Sequence, residues 1–386
     1  MRNTAVDLFF CYTANSMIHQ TIKASPLYSR LRRLYEKHER LLVPGVLVLG
    51  VLFDFITFRT IKISSAFILL GFYALMAGAM IFFINYHDTH RTPRRGNGLR
   101  YLRLAAPLIV QFTFGALLSA SLIFYWFSGV LSVSWPIILI LVALMISNEA
   151  LRHLYQKPIV QISVYFFTIF SYSTLIFPYL FNSISAWVFV FGGLTSLAAL
   201  YGYVRLLARF LDGVEAQQKR ITRSTIVIFI VMNTFYFLNL IPPIPLSLQE
   251  AGIYHNIERE DGAYILHAEV ETFFERILPG ETIHIQDKDF VYVYTSIFAP
   301  TDLDTVIYHQ WQYYNPDTRD WEDRDRLSFA IFGGRDDGYR GYSVKSSVDE
   351  GLWRVNAETA RGQVLGRIQF TVEDVEEART LEQIVR

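Results

Sequence analysis

The chain has 386 residues, 52% of them apolar and 18% charged, with basic and acidic side chains balanced at 35 each; that is too apolar for an ordinary soluble protein and long enough for two or three domains. The balance hides an asymmetry that implies two environments: residues 1–248 carry 21 basic and 8 acidic side chains (net +13), residues 249–386 carry 14 and 27 (net −13). A single cysteine, Cys11, excludes an intramolecular disulfide and a zinc site built on several cysteines.

Residues 1–40 are basic, with Arg30, Arg32, Arg33, Lys37 and Arg40 after Ser25-Pro26, a helix-start signal. Leu27, Leu31, Leu34 and Leu41 fall at helical spacing. An amphipathic helix on the inner membrane surface is expected, with a solvated lead-in to the first span as the alternative. No clear cleavage site follows the first apolar run, so no cleaved signal peptide is expected.

Seven apolar runs follow, near Leu42–Phe58, Ser64–Tyr86, Ala105–Val130, Leu131–Asn148, Pro158–Phe181, Ala186–Leu206 and Thr225–Ile241. Each approaches the roughly 20 residues that cross a bilayer core, which predicts a seven-helix transmembrane domain over 41–245. If there are seven spans, 19 of the 21 basic residues of this half lie on one side. The N-terminus is therefore expected in the cytoplasm and everything after Ile241 outside. Pro242-Pro243-Ile244-Pro245 is expected to end the last helix and act as a short, stiff spacer.

From Tyr264 the pattern changes to period two. Strands are predicted at Phe290–Phe298, Thr305–Tyr314, Leu327–Phe332, Tyr339–Lys345, Leu352–Glu358 and Val364–Val372, punctuated by Asn315-Pro316-Asp317, Gly333-Gly334 and Arg361-Gly362. Short strands with tight turns predict an all-β, antiparallel sandwich over 246–386. Glu373–Arg386 reads as a charged short helix or a frayed end.

The order Ile297-Phe298-Ala299-Pro300, Tyr308-His309-Gln310-Trp311, Trp321, Gly333-Gly334-Arg335, Gly338 to Lys345, Gly351-Leu352-Trp353-Arg354-Val355, then Gly362 and Phe370 resembles the bacterial domain of unknown function 2914 family. The resemblance covers roughly Asp289–Val372. The membrane half is similar to the polytopic part of some members through Phe53-Asp54 with Thr57, Gly115 with Ser119 and Tyr125, and Asn148-Glu149. The resemblance implies a bacterial membrane protein and implies no activity.

Two sets of residues could carry chemistry. The first is a ligand face on the sandwich: Trp311, Tyr339, Tyr342 and Trp353 as flat surfaces, with Arg335, Arg340, Lys345 and Arg354 as cationic donors. Aromatics stack on sugar rings and arginines hold carboxylate or phosphate groups. The structural alternative puts Trp311 and Trp353 in the core and pairs Arg335 with local acids. The second set is intramembrane: Asp54, Gln111, Asn148 and Glu149. An ionisable group in lipid is costly and is a functional candidate by default. The alternative pairs Asp54 with Arg59 or Lys62 and Glu149 with Arg152 or His153. The stretch His87-Asp88-Thr89-His90 offers too few ligands for a structural metal, and no metal or cofactor is expected. No nucleotide-binding or hydrolase motif is present in the sequence.

The reading is a multi-pass protein of the bacterial cytoplasmic membrane. Its partners are the lipid bilayer and an envelope polysaccharide or protein, bound by the extracytoplasmic domain. The acidic half argues against nucleic acid. The alternative is a transporter or membrane enzyme for a lipid-linked substrate, using Asp54 and the Asn148/Glu149 region.

Overall fold

A computed structural model describes residue 54 and residues 63–89, 97–150, 157–211, 214, 216–244, 246–260, 263–270, 281–286, 289–299, 305–331, 339–377 and 379–386. The basic segment 1–40 and nearly all of the first apolar run, Leu42–Phe58, lie outside these residues.

Six long helices are described: α1 Ile63–Thr89, α2 Asn97–Phe127, α3 Leu131–Ala150, α4 Pro158–Leu180, α5 Ala186–Ala208 and α6 Gln218–Phe237. Five, α1 to α5, are long and apolar enough to cross a membrane. Seven spans are therefore not supported. The seventh run belongs to α6, which carries Lys219, Arg220 and Arg223 near its start. Its uncharged part, Ser224–Phe237, is about 14 residues or about 21 Å of helix, against a hydrocarbon core of about 30 Å.

The chain divides into two compact units, 1–123 with 138–176 and 190–233, and 124–137 with 177–189 and 234–386. In the first unit, small residues admit large ones. Gly71 and Gly78 on α1 leave space for the hydroxyl ends of Tyr172 and Tyr165 from α4. Tyr172 donates to the Phe67 carbonyl at 3.0 Å, and Tyr203 of α5 donates to the Gly78 carbonyl at 2.8 Å. Gly193 on α5 seats the ring of Phe170. Polar side chains bond across helices, as Asn85 with Gln161 at 3.0 Å and Ser163 with Ser224 at 2.8 Å. Close backbone approach and such bonds hold helices together where lipid supplies no hydrophobic drive.

The second unit contains eleven described strands in three sheets. They are β1 Ser247–Tyr254, β2 Asn256–Glu260, β3 Ala263–Glu269, β4 Glu281–Ile285, β5 Val291–Phe298, β6 Thr305–Asn315, β7 Asp320–Ile331, β8 Tyr339–Lys345, β9 Gly351–Thr359, β10 Val364–Asp374 and β11 Leu381–Val385. The sheet orders are β1-β5-β8, β4-β10-β9-β6-β7 and β11-β3-β2. The first two face each other across one core. Trp311, Trp353, Val355 and Phe370 from the large sheet meet Val291 and Val293 from the small one. Trp311 meets Trp353 and Phe370 edge-on, with ring centroids 6.4 and 6.2 Å apart. The third sheet covers β5 from outside through Tyr254, Tyr264, Leu266 and Tyr294.

Two expectations need correction. The sandwich is not purely antiparallel, because β4 pairs parallel to β10. The C-terminal tail contributes strand β11, whose alternate backbone groups pair with β3; that pairing outweighs the tail's polar composition.

One polar group crosses the core. His309 is completely buried. It bonds Thr295 of β5 at 2.9 Å through Nε2 and Ser343 of β8 at 2.8 Å through Nδ1, while Trp311 Nε1 donates to the same Ser343 oxygen at 3.1 Å. Burial pushes the His309 imidazole down to about 3, so it stays neutral and satisfied.

The same unit includes the α2–α3 turn, the α4–α5 turn and the end of α6. Ile184, in the α4–α5 turn, packs against Leu246, Ile297 and Leu365. Gly129, in the α2–α3 turn, has no Cβ to keep Pro242 away. Past α6, Asn239 adopts φ 58° and donates to the Arg361 carbonyl at 3.0 Å, and buried Gln363 donates to the Ile241 carbonyl at 3.1 Å. The Arg361 guanidinium lies 4.3 Å from the centroid of the Tyr236 ring. The segment from Ile241 to Ile244 is buried. It is a packed seam rather than a free spacer, because its apolar side chains and prolines have protein surface to cover.

Candidate functional site

In the large sheet, residues alternate between the core and the opposite face. On β6 and β9, Trp311, Trp353 and Val355 point inward, so Gln312, Arg354 and Asn356 point away. Register then builds two rows across the sheet. Asp323, Gln312, Arg354 and Gln369 form one; Arg326, Gln310, Asn356 and Arg367 form the next. A β-bulge at Trp311/Gln312 leaves Arg324 without a partner in the ladder.

Within the rows the side chains are wired together. Arg354 Nε donates to Gln312 Oε1 at 2.6 Å, and Asn356 Nδ2 donates to the same oxygen at 3.2 Å. Gln312 Nε2 donates to Asp323 at 2.5 Å. Arg367 Nε donates to Asn356 Oδ1 at 2.7 Å. Arg354 stacks on Trp321, 4.1 Å from its centroid. Both guanidiniums are therefore fixed through Nε, by neutral amides. Among the described residues, no carboxylate lies within salt-bridge distance of Arg354 or Arg367. Four other described cations of this domain do have one: Arg326 with Glu358, Arg324 with Glu322, Lys345 with Asp325 and Arg386 with Glu250. Burial, and then the charge of Arg367, hold Arg354 below the usual guanidinium range, partly offset by Asp320 and Asp323. Burial lowers Arg367 as well.

The predicted ligand residues are dispersed. Trp311 and Trp353 are core residues with essentially no exposed surface. Lys345 is paired with Asp325 and lies 5.6 Å from the Trp353 centroid. Tyr339 is half-buried against the second core cluster. Arg340 and Tyr342 sit on the other face of β8, where Tyr342 touches Tyr264 and Tyr292. Arg335 lies outside the described residues. Of the set, Arg354 alone is on the wired face; its companions Gln312, Asn356 and Arg367 were not singled out from sequence. The signal that finds them is the alternation of each with a buried neighbour, once β6, β9 and β10 are placed side by side.

The intramembrane set is partly assembled. Gln111 of α2 donates to the Asn148 carbonyl, and Asn148 Nδ2 donates to the Gln111 carbonyl, both at 3.0 Å. Ser119, two turns on from Gln111, is turned toward the Asp54 carboxyl without a hydrogen bond of normal geometry. Asn148 Oδ1 is buried and has no hydrogen-bond partner among the described residues. The side chain of Glu149 lies outside the described set. Among the described residues, no three His, Cys, Asp or Glu side chains are placed to share a metal ion.

A further cluster ties three strands together. Glu269 accepts from His255 at 2.8 Å and from the backbone and ring of His284 at 2.6 and 2.7 Å. Burial raises this carboxyl, but those hydrogen bonds and the His284 charge outweigh it and hold the group down at about 2.

Residues 304–372 match the model of a family described as a protein of unknown function (DUF2914). The match lies inside the stretch that carries the sequence resemblance. No curated protein matches the chain. Solved structures similar to parts of it include a β-glucosidase from Listeria innocua in complex with glucose, at 15% identity, TM-score 0.20, covering 24% of this chain and 15% of that one. The same enzyme with gluconolactone is 13% identical, TM-score 0.20, covering 31% and 17%. The chain thus spans under a fifth of that enzyme's length. A Pseudomonas fluorescens alkylpurine DNA glycosylase, AlkC, bound to abasic-site DNA is 10% identical, TM-score 0.22, covering 79% and 97%. Likenesses at these scores carry no argument about this chain.

Proposed function

We propose that this is a multi-pass protein of the bacterial cytoplasmic membrane, with its β domain on the outer side binding an envelope component or partner protein. Support for the orientation comes from the helix ends that join the β unit. The turns 124–137 and 177–189 and the stretch 234–248 contain no Lys or Arg, whereas the α1–α2, α3–α4 and α5–α6 loops carry Arg91, Arg94, Arg95, Arg152, Lys157 and Arg209. In this reading the helical domain, over 41–245, is the anchor and 246–386 the recognition module.

The observation that carries binding is the pair Arg354 and Arg367, oriented by amides on the outward face of the large sheet. Two neighbouring cations with no carboxylate in direct contact repel each other, which adds nothing to stability. The full chain in nanodiscs should retain peptidoglycan fragments, envelope polysaccharides or one envelope protein from a fractionated extract, and an Arg354→Gln, Arg367→Gln variant should not. Equal retention by that variant, still folded by circular dichroism, would sink the assignment of this face.

A second reading rests on the file Gln111, Ser119, Asn148 and Asp54, whose unpartnered buried oxygen suits a polar substrate in the membrane. Asp54→Asn tests it: full rescue of a deletion strain would remove Asp54 from any working role.

A further inference from the structure

We infer that the outward face of the large sheet takes a sparsely charged saccharide bearing a single carboxylate, which docks between Arg354 and Arg367. The inference rests on the recognition role proposed above and adds the ligand's chemistry.

The two arginines are diagonal neighbours on β9 and β10, since Arg354 is opposite Gln369 and Arg367 is two residues before it. Such positions lie about 7–8 Å apart, within reach of one small anion for two long side chains. Each Nε is already engaged, which leaves the terminal nitrogens of both forks as donors. A carboxylate there receives charge-assisted hydrogen bonds and relieves the repulsion between the cations.

The surroundings set the rest of the ligand. Asp320 and Asp323 flank Arg354 closely enough to act on its charge, in a domain half of net −13. A polyanion would meet those acids with its second and third charges; a ligand with one isolated charge does not. In the same two rows as the arginines lie two amides, exposed Gln369 and half-buried Gln310, which pair with sugar hydroxyls as donor and acceptor alike.

The test is calorimetry on the full chain in nanodiscs with three probes. They are an oligosaccharide of neutral hexoses with one glucuronate, the same compound with its carboxyl reduced to the alcohol, and a polyuronate of equal length. The expected result is tightest binding to the singly charged compound. Reduction should weaken it at least about ten-fold, and so should Arg354→Gln or Arg367→Gln. Equal binding of the reduced compound would overturn the carboxylate while leaving recognition intact. Tighter binding of the polyuronate would overturn the single-charge requirement. No binding of any probe by a chain that still retains its envelope fraction would overturn the saccharide class alone. The comparison among probes uses the unaltered chain, so it stands even if a variant fails to fold.

Discussion

Arg326 and Arg354 share one face of one sheet, and each guanidinium lies 4.1 Å from an aromatic centroid, Tyr308 for the first and Trp321 for the second. Their partners differ. Arg326 meets Glu358 at 3.0 Å and two backbone carbonyls at 3.3 Å, so its charge and most of its donors are satisfied internally. Arg354 has one amide oxygen and a second arginine beside it, with Asp320 and Asp323 acting on its charge from beyond salt-bridge distance. The comparison teaches that an arginine's meaning is set by what neutralises it, not by its exposure or its aromatic neighbour. Arg326 holds β7 to β9; Arg354 is held by an amide, and no carboxylate among the described residues is within salt-bridge distance of it.

Acid provides the largest expected break in this pattern, through a group that avoids charge altogether. His309 titrates near 6.5 when unfolded and is pushed down to about 3 when folded. The unfolded chain therefore binds the extra proton first as pH falls. The contribution is fully present above about pH 6.5 and is lost progressively toward pH 3. Glu269 adds a second loss beginning near 4.5 and ending near 2. Chemical denaturation of the β domain, followed by tryptophan fluorescence at stepped pH, should show a falling midpoint from pH 6.5 downward. A His309→Gln variant should lose the upper part of that slope.

Next in size is Glu358→Gln. It leaves Arg326 without its counterion and should cost about 1–3 kcal/mol, nearer the lower figure because the Arg326 side chain is 41% exposed. A converse change sharpens the comparison: Gln369→Glu gives Arg354 a carboxylate directly across the ladder. It should raise stability by roughly 0.2–1 kcal/mol while abolishing anion binding. Arg354→Gln should be the mildest, within about 0.5 kcal/mol of the parent in denaturation. A loss of several kcal/mol there would make Arg354 a structural residue like Arg326.

Much of the β domain was legible in sequence, because turn residues and alternation mark strand ends. Tyr339–Lys345 was predicted with the bounds observed, and the other five predicted strands overlap their observed counterparts. β1 to β4 and β11 were missed. β2 and β11 are short, polar and edge-placed, so their stability comes from pairing with β3 rather than from an apolar period. Trp311 and Trp353 carry a structural alternative in the sequence itself, because aromatics of a small sandwich are usually core. The wired face was not legible, because Arg354 meets Gln312 across 42 residues and Arg367 meets Asn356 across 11. Strand register, not local pattern, brings them together. The count of seven spans is not supported at α6, whose Lys219, Arg220 and Arg223 make it less apolar than α1 to α5.

The seam past α6 has a mechanical meaning. Strand β9 carries Arg354 at one point and, five residues on, enters the turn whose Arg361 and Gln363 grip the end of α6. Backbone ladders to β6 and β10 brace β9 on both sides. Load carried along β9 from Arg354 therefore meets the end of α6 through the contacts of Arg361 and Gln363.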